Sequence, residues 1–166
     1  MTEIVPAISM QCPDTTLAIV GPAPPRWLLS AARRHPSIRV PGRVPDVASW
    51  LDSADVVVCP LRIGGGVKVK MLEALARGCA IVTTPVGLQG LRQLPAGTLV
   101  ECDGAAAVAE ACVTLLTYAD RCDRHRALAR QAAAQLPTWD QAAEIMADGW
   151  TCLAGTGTRS VLPTGT

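Results

Sequence analysis

The run Gly64-Gly65-Gly66-Val67-Lys68-Val69-Lys70-Met71-Leu72-Glu73-Ala74-Leu75-Ala76-Arg77-Gly78 constrains this chain more than any other stretch. It stands between two apolar runs, Asp55–Leu61 and Ala80–Thr84, each of a length that suits a buried strand. The unit is therefore strand, glycine-rich loop, helix, strand. The helix is predicted to begin at about Val67 and to stop at Gly78, a residue suited to a helix C-terminus. Lys68 and Lys70 fall in its first turn, where the positive end of the helix dipole disfavours cations by about 0.3–1 kcal/mol each. Adjacent glycines let the backbone approach a ligand closely. Glycines and lysines together at a helix start fit a bound anion, phosphate above all. Glu73, about a turn and a half further in, could accept hydrogen bonds from sugar hydroxyls beyond the phosphates. The plainer reading is an ordinary turn with Lys70 and Glu73 as a surface i,i+3 pair. Loop and charge pointing the same way favour phosphate.

Two common phosphate motifs are excluded. A Walker A loop needs Lys and Ser/Thr after its last glycine, and Val67 follows Gly66. A dinucleotide fingerprint needs a glycine where Val69 stands.

The rest of the chain extends the alternation. A helix is expected over Thr2–Met10, a turn at Cys12–Asp14, a strand over Leu17–Val20 and a helix over Arg26–His35, with Trp27, Leu28, Ala31 and Ala32 facing the sheet. Ile38–Val40 reads as a strand, and Asp46 as the cap of a helix over Val47–Ser53. After strands at Val56–Val58 and Ile81–Val82 come a loop, Pro85–Gly90, and a short strand at Leu99–Val100. Three helices follow, over 104–118, 121–136 and 139–153, the first two alanine-rich. The expected fold is α/β: a Rossmann-like parallel sheet flanked by helices, with a helical C-terminal end. One domain spans 1–154, and the Gly/Thr/Ser-rich tail 155–166 is expected to be disordered. In such sheets a ligand sits beyond the carboxyl ends of the strands. The glycine loop and the loops Gly21–Pro25 and Thr83–Gly90 are expected to meet there.

Composition limits the alternatives. With 166 residues, 49% hydrophobic, 17% charged and a net charge of +1, the chain is a soluble globular type rather than a nucleic-acid coat. Phenylalanine is absent and tyrosine occurs once, so base-stacking platforms are not expected. The seven cysteines form no C-x-x-C pair and read as reduced thiols of a cytoplasmic protein. His35 and His125 have no ligand spacing for zinc. No apolar stretch approaches the length of a membrane span, and no signal peptide is evident.

The segment Pro60–Gly78 closely resembles the donor-site segment of GT-B glycosyltransferases of the family 4, or "group 1", type. Leu17–Gly21 resembles that family's "l-x-I-V-G" strand, Gly42–Asp46 its "G-x-V-x-D" turn, Val86–Leu91 its "vG-x-x-Gl" loop, and Thr138-Trp139 the "S-W" that opens its last helix. The likeness runs from about Thr2 to about Leu153, five motifs in register. It implies the C-terminal half of a GT-B fold, which binds a nucleotide-diphosphate sugar as substrate, with no cofactor and no metal. The family's opening strand and its N-terminal acceptor-binding domain have no counterpart in these residues. The acceptor half would be a missing domain or a second chain, and it leaves room for peripheral membrane association. Transferred to matching positions, Glu73 would hold the ribose hydroxyls. Lys68 would neutralise the diphosphate and stabilise the leaving nucleotide. Gly64, Gly65, Gly66 and the helix start would contact phosphate oxygens, with Lys70, Gly87 and Gln89 around the same site. Arg62 reads equally as a phosphate ligand or as a solvated loop charge. Many relatives carry a second glutamate where Gly65 stands, so the sugar is not identified.

The isolated chain is then expected to bind nucleotide but to transfer slowly or not at all. Two other readings stay open: a non-catalytic nucleotide-binding or scaffold remnant, and half of a sugar-nucleotide 2-epimerase. Asp46 reads as a cap, Asp55 as a turn residue, Arg124 and His125 as surface groups on a helix. The four tryptophans, Trp27, Trp50, Trp139 and Trp150, read as core or domain-interface residues.

Overall fold

Alternation of apolar runs with amphipathic segments does produce an α/β chain. The computed structural model describes residues 3–155. In chain order the elements are α1 (Ile4–Gln11), β1 (Leu17–Val20), α2 (Arg26–Arg34), β2 (Ile38–Gly42), α3 (Ala48–Asp52), β3 (Val57–Cys59), α4 (Val69–Ala76), β4 (Ile81–Thr83), β5 (Val100–Glu101), α5 (Ala105–Thr117), α6 (Ala119–Ala133) and α7 (Trp139–Gly155). The expected disordered tail lies almost wholly outside the described residues. The chain divides into two compact units, Met1–Ala134 and Gln135–Thr166.

The strands of the first unit form two sheets. β1 pairs with β2, Leu17 opposite Ile38. β3 pairs with β4, Val57 opposite Ile81, and β4 pairs with β5, Val82 opposite Val100. All three ladders are parallel, as strand–helix–strand connections require. The core is assembled from small side chains. Ala80 and Val82 meet Val108, Cys112 and Leu115 of α5 and Cys122 of α6. Ile4 and Ile8 of α1 and Val56, Val58 and Val100 close around them. Alanine and cysteine on α5 let its backbone lie close to β4.

Local chemistry fixes the helix ends. Gly78 takes a left-handed φ of 66°. Its N–H reaches the carbonyl of Leu75 at 2.8 Å and that of Cys79 the carbonyl of Ala74 at 3.0 Å. This is a Schellman stop, and it satisfies the last carbonyls of α4. Asp46 caps α3 as expected: its carboxylate accepts from the N–H groups of Ala48 at 2.8 Å and Ser49 at 3.1 Å, and from the Ser49 hydroxyl. In the second unit, Thr138 and Gln141 exchange side-chain-to-backbone hydrogen bonds of 3.2 and 2.9 Å, a capping box that opens α7.

Two expectations about faces need correction. Trp27 does not face the sheet; it is 63% exposed, while Leu28 beside it is buried. Each turn of a short helix presents one side chain to a two-stranded sheet, and here Leu28 fills that place. Trp139 and Trp150, expected in the core or at a domain interface, are exposed at 74% and 71%, which overturns the core half of that expectation alone.

Two predictions follow from burial and capping. Burial pushes the Cys112 thiol up to about 12, so at pH 8 it stays protonated and enclosed. A maleimide reagent should label exposed Cys152 on the native chain and reach Cys112 only after denaturation, a pattern mass spectrometry resolves. The hydrogen bonds from Ser49 and Ala48 hold Asp46 below its ordinary carboxylate value. Its stabilising contribution is complete above that ordinary value and is lost as pH falls through the lowered one. Asp46→Asn, which keeps a capping oxygen but not the charge, should therefore flatten the decline in melting temperature between about pH 5 and pH 2.

Candidate functional site

The chain leaves β3 at Cys59 and does not turn helical until Val69. This corrects the expected helix start at Val67. Gly64 and Gly66 take φ of 143° and 68°, open to glycine, and Lys68 is extended at φ −95°, ψ 103°. Lys68 is thus the N-cap of α4 rather than part of its first turn. The physical reason is visible in its ammonium, which folds back over the loop and donates to the carbonyls of Gly66 at 2.6 Å and Gly65 at 3.2 Å. These bonds hold the loop in a tight arc and keep residue 68 out of helical geometry. Lys70 remains in the first turn.

The arc leaves its donors unused. Among the described residues, no backbone N–H from Arg62 through Lys70 donates to a protein acceptor. Those N–H groups, the N-terminus of α4, and Lys68 and Lys70 collect positive potential on one exposed surface. Glu73 lies on α4, exposed, and has no ion pair among the described residues. Lys70 makes none with it, so the surface pair allowed by their spacing does not form. Arg62 is exposed and forms no ion pair among the described residues either.

The second loop is bound to the first. The Thr84 hydroxyl donates to the Leu61 carbonyl at 2.5 Å and accepts from the Gly87 N–H at 3.3 Å. The Thr83 hydroxyl donates to the Cys59 carbonyl at 3.3 Å. Gly87 is buried so closely that a Cβ would stand 2.1 Å from the Thr83 hydroxyl and 3.0 Å from the Cys59 carbonyl. At Gly90 a Cβ would meet the Val67 side chain at 2.4 Å, so the two loops touch there. Between them Gln89 holds its carboxamide oxygen buried with no hydrogen-bond partner.

The structure therefore joins two of the three loops expected at the site, 60–68 and 84–90. The third, Gly21–Pro25, follows β1 in the other sheet, and among the described residues no hydrogen bond ties it to either. Gly87 is placed to let the loops close, its N–H already occupied by Thr84. Thr83 and Thr84 were not singled out by sequence; a Thr pair at a strand end just before a Pro/Gly loop is the signal that could have found them. A separate hollow of about 140 Å³ lies beside Leu91, Arg92, Pro95 and Thr98, too small for a nucleotide sugar. Among the described residues no three His, Cys, Asp or Glu side chains are placed to hold a metal, and no helix is long and apolar enough to cross a membrane.

A parallel α/β unit with a glycine-rich loop between its third strand and fourth helix is a Rossmann-like arrangement. Comparison with known proteins narrows this: residues 1–118 match the family model described as glycosyl transferases group 1, and the chain belongs to that family. No curated protein matches the sequence. Among solved structures it is similar to sucrose-phosphate synthase from Thermosynechococcus elongatus (TM-score 0.78, 20% identity, 93% of this chain and 42% of that one). It is similar also to HepE from Anabaena, solved in complex with UDP (TM-score 0.77, 16% identity, 92% and 45%). The C-terminal domain of the group 1 family protein LpcC from Francisella tularensis matches over 81% of this chain and 80% of its own length (TM-score 0.60, 20% identity). The chain thus has the fold of a GT-B C-terminal half and spans less than half the length of the larger enzymes.

The junction of the two loops can be tested directly. Gly87→Ala should destabilise the fold by about 1–3 kcal/mol, because the new methyl must displace the ends of both β3 and β4. Gly21→Ala, with nothing within 4 Å, should change the denaturant midpoint little.

Proposed function

We propose that this chain is the donor-binding domain of a glycosyltransferase that uses a nucleotide-diphosphate sugar. The observation that carries the reading is the unused run of N–H groups from Arg62 through Lys70 at the start of α4, under the Lys68 ammonium. Such an array is built for an anion with several oxygens.

The diphosphate lies against Gly64, Gly65, Gly66 and the first N–H groups of α4. Lys68 spends two hydrogen bonds on the loop and keeps its remaining donor and its charge for the phosphates. In transfer, negative charge grows on the leaving nucleotide diphosphate, and Lys68 with the helix start stabilises it in place. Lys70 adds charge at the rim, and Arg62 reaches the same surface from the loop's other end. Glu73 accepts hydrogen bonds from the ribose hydroxyls. Gln89 offers its unpartnered oxygen to a hydroxyl of the ligand, and Gly87 shapes the loop that carries it. The acceptor is bound by a separate domain or chain, so the isolated chain binds donor nucleotide and transfers poorly. The family 4 placement and a cytoplasmic setting belong to the same reading.

Calorimetric titration with UDP, GDP and ADP tests it. One diphosphate should bind, with Lys68→Ala and Glu73→Ala each weakening it by about tenfold, or about 1.4 kcal/mol. Binding of none by the folded chain, or binding indifferent to both substitutions, overturns the proposal.

A further inference from the structure

The stretch between Asp14 and Asp46 carries charge of one sign only. It holds Arg26, Arg33, Arg34, Arg39 and Arg43 and no Asp or Glu, in a chain whose net charge is +1. It builds β1, α2 and β2, and it includes the loop Gly21–Pro25, which takes no part in the junction at the glycine arc. Among the described residues none of these five arginines is in an ion pair. Positive charge gathered in one segment and left uncompensated points to an anionic partner.

α2 sets three of the arginines on one face. Arg26, Ser30, Arg33, Arg34 and Trp27 fall within about a third of the helix circumference, and Leu28 falls on the opposite side. Burial agrees with this geometry. Leu28 is buried, as is Ile38 of the adjoining β2, while Arg26, Trp27, Arg33 and Arg34 are exposed. The helix gives its apolar side to the sheet and turns arginine and tryptophan to solvent. Arg33 donates to the Ser30 hydroxyl at 3.1 Å, a neutral partner that leaves its charge in place. Arg26 stands in the first turn, where the helix dipole disfavours a cation and no acidic residue offsets it.

The loop before α2 adds apolar surface. Pro22, Ala23 and Pro25 are exposed in the segment that runs into Trp27, and the chain bends at Ala23, φ 50°. Residues 17–25 carry no charge. This face therefore has an uncharged tip of proline, alanine and tryptophan, with three arginines along a helix of about 13 Å.

We propose that the face from Pro22 to Arg34 docks on a membrane surface containing anionic phospholipid. The arginine forks pair with lipid phosphates, two N–H donors to one phosphate. Trp27 and the proline tip settle at the headgroup level, where an apolar ring with one polar N–H is favoured. An acidic protein would need carboxylates placed against Arg26, Arg33 and Arg34 and an apolar pocket for the tip. A bilayer interface supplies charge and apolar depth together, in any register. Single-stranded nucleic acid would call for stacking rings, and Trp27 is the one Phe, Tyr or Trp in residues 15–45. The docking is carried by this chain's own residues and does not rest on nucleotide binding.

Vesicle co-sedimentation of the full chain tests it, with phosphatidylcholine alone and with about one-third phosphatidylglycerol added. The chain should bind the anionic vesicles about tenfold more strongly or better, and less as salt is raised. Arg33→Gln/Arg34→Gln should weaken that binding by about 30-fold. The charge-matched pair Arg121→Gln/Arg124→Gln, exposed on α6, should change it by less than about twofold. Brominated acyl chains should quench the tryptophan fluorescence, and Trp27→Phe, which leaves Trp50, Trp139 and Trp150 in place, should abolish most of that quenching. No binding, equal binding to neutral vesicles, equal loss from the two arginine pairs, or quenching undiminished in Trp27→Phe overturns the proposal. So does tighter binding to polyglutamate or polyuridylate through Arg33 and Arg34, which assigns the surface to a protein or a nucleic acid.

Discussion

The junction between the ends of β3 and β4 carries the candidate site. Two threonine hydroxyls, of Thr83 and Thr84, donate to the Cys59 and Leu61 carbonyls just where the first strand ends. Gly87 lies against the same atoms with no room for a Cβ. These contacts satisfy polar groups that would otherwise be buried unpaired, each a loss of about 1–3 kcal/mol. They also bring the loop 84–90 down on the glycine arc.

The arc itself shows how one side chain sets backbone geometry. The Lys68 ammonium is bonded to two loop carbonyls, and the N–H groups of the arc have no acceptor among the described residues. Three consecutive glycines make such a path sterically open, with two of them at positive φ. The helix then begins one residue later, and its dipole reinforces the same outward face. The proposed anion site thus consists of backbone N–H groups in an arc that the Lys68 side chain holds in place.

Much of this was legible in the chain because its signals are local. The Gly64–Gly66 run, the stop at Gly78, the Asp46 cap and the Thr138 helix start all depend on residues within a few positions of one another, and all appear where expected. The strand pattern was legible too, because short apolar runs between helices pack in only one common way. The motif resemblance added the family, which residues 1–118 bear out. What failed was local in sequence but decided by hydrogen bonds and packing that sequence does not display. The helix start moved to Val69 because Lys68 found the loop carbonyls, and Trp27 faced outward because Leu28 took the sheet-facing place.

The sequence by itself determined the order of strands and helices, the glycine arc and the charges around it, because periodicity, caps and turn residues act over a few positions. Only the tertiary structure decided which loops meet, which N–H groups are left without an acceptor, and that five parallel strands form two sheets with open edges rather than one. Those outcomes rest on long-range ladder pairing and on close packing at Gly87 and Gly90. There the partner atoms lie far along the chain, and tenths of an ångström decide whether they fit.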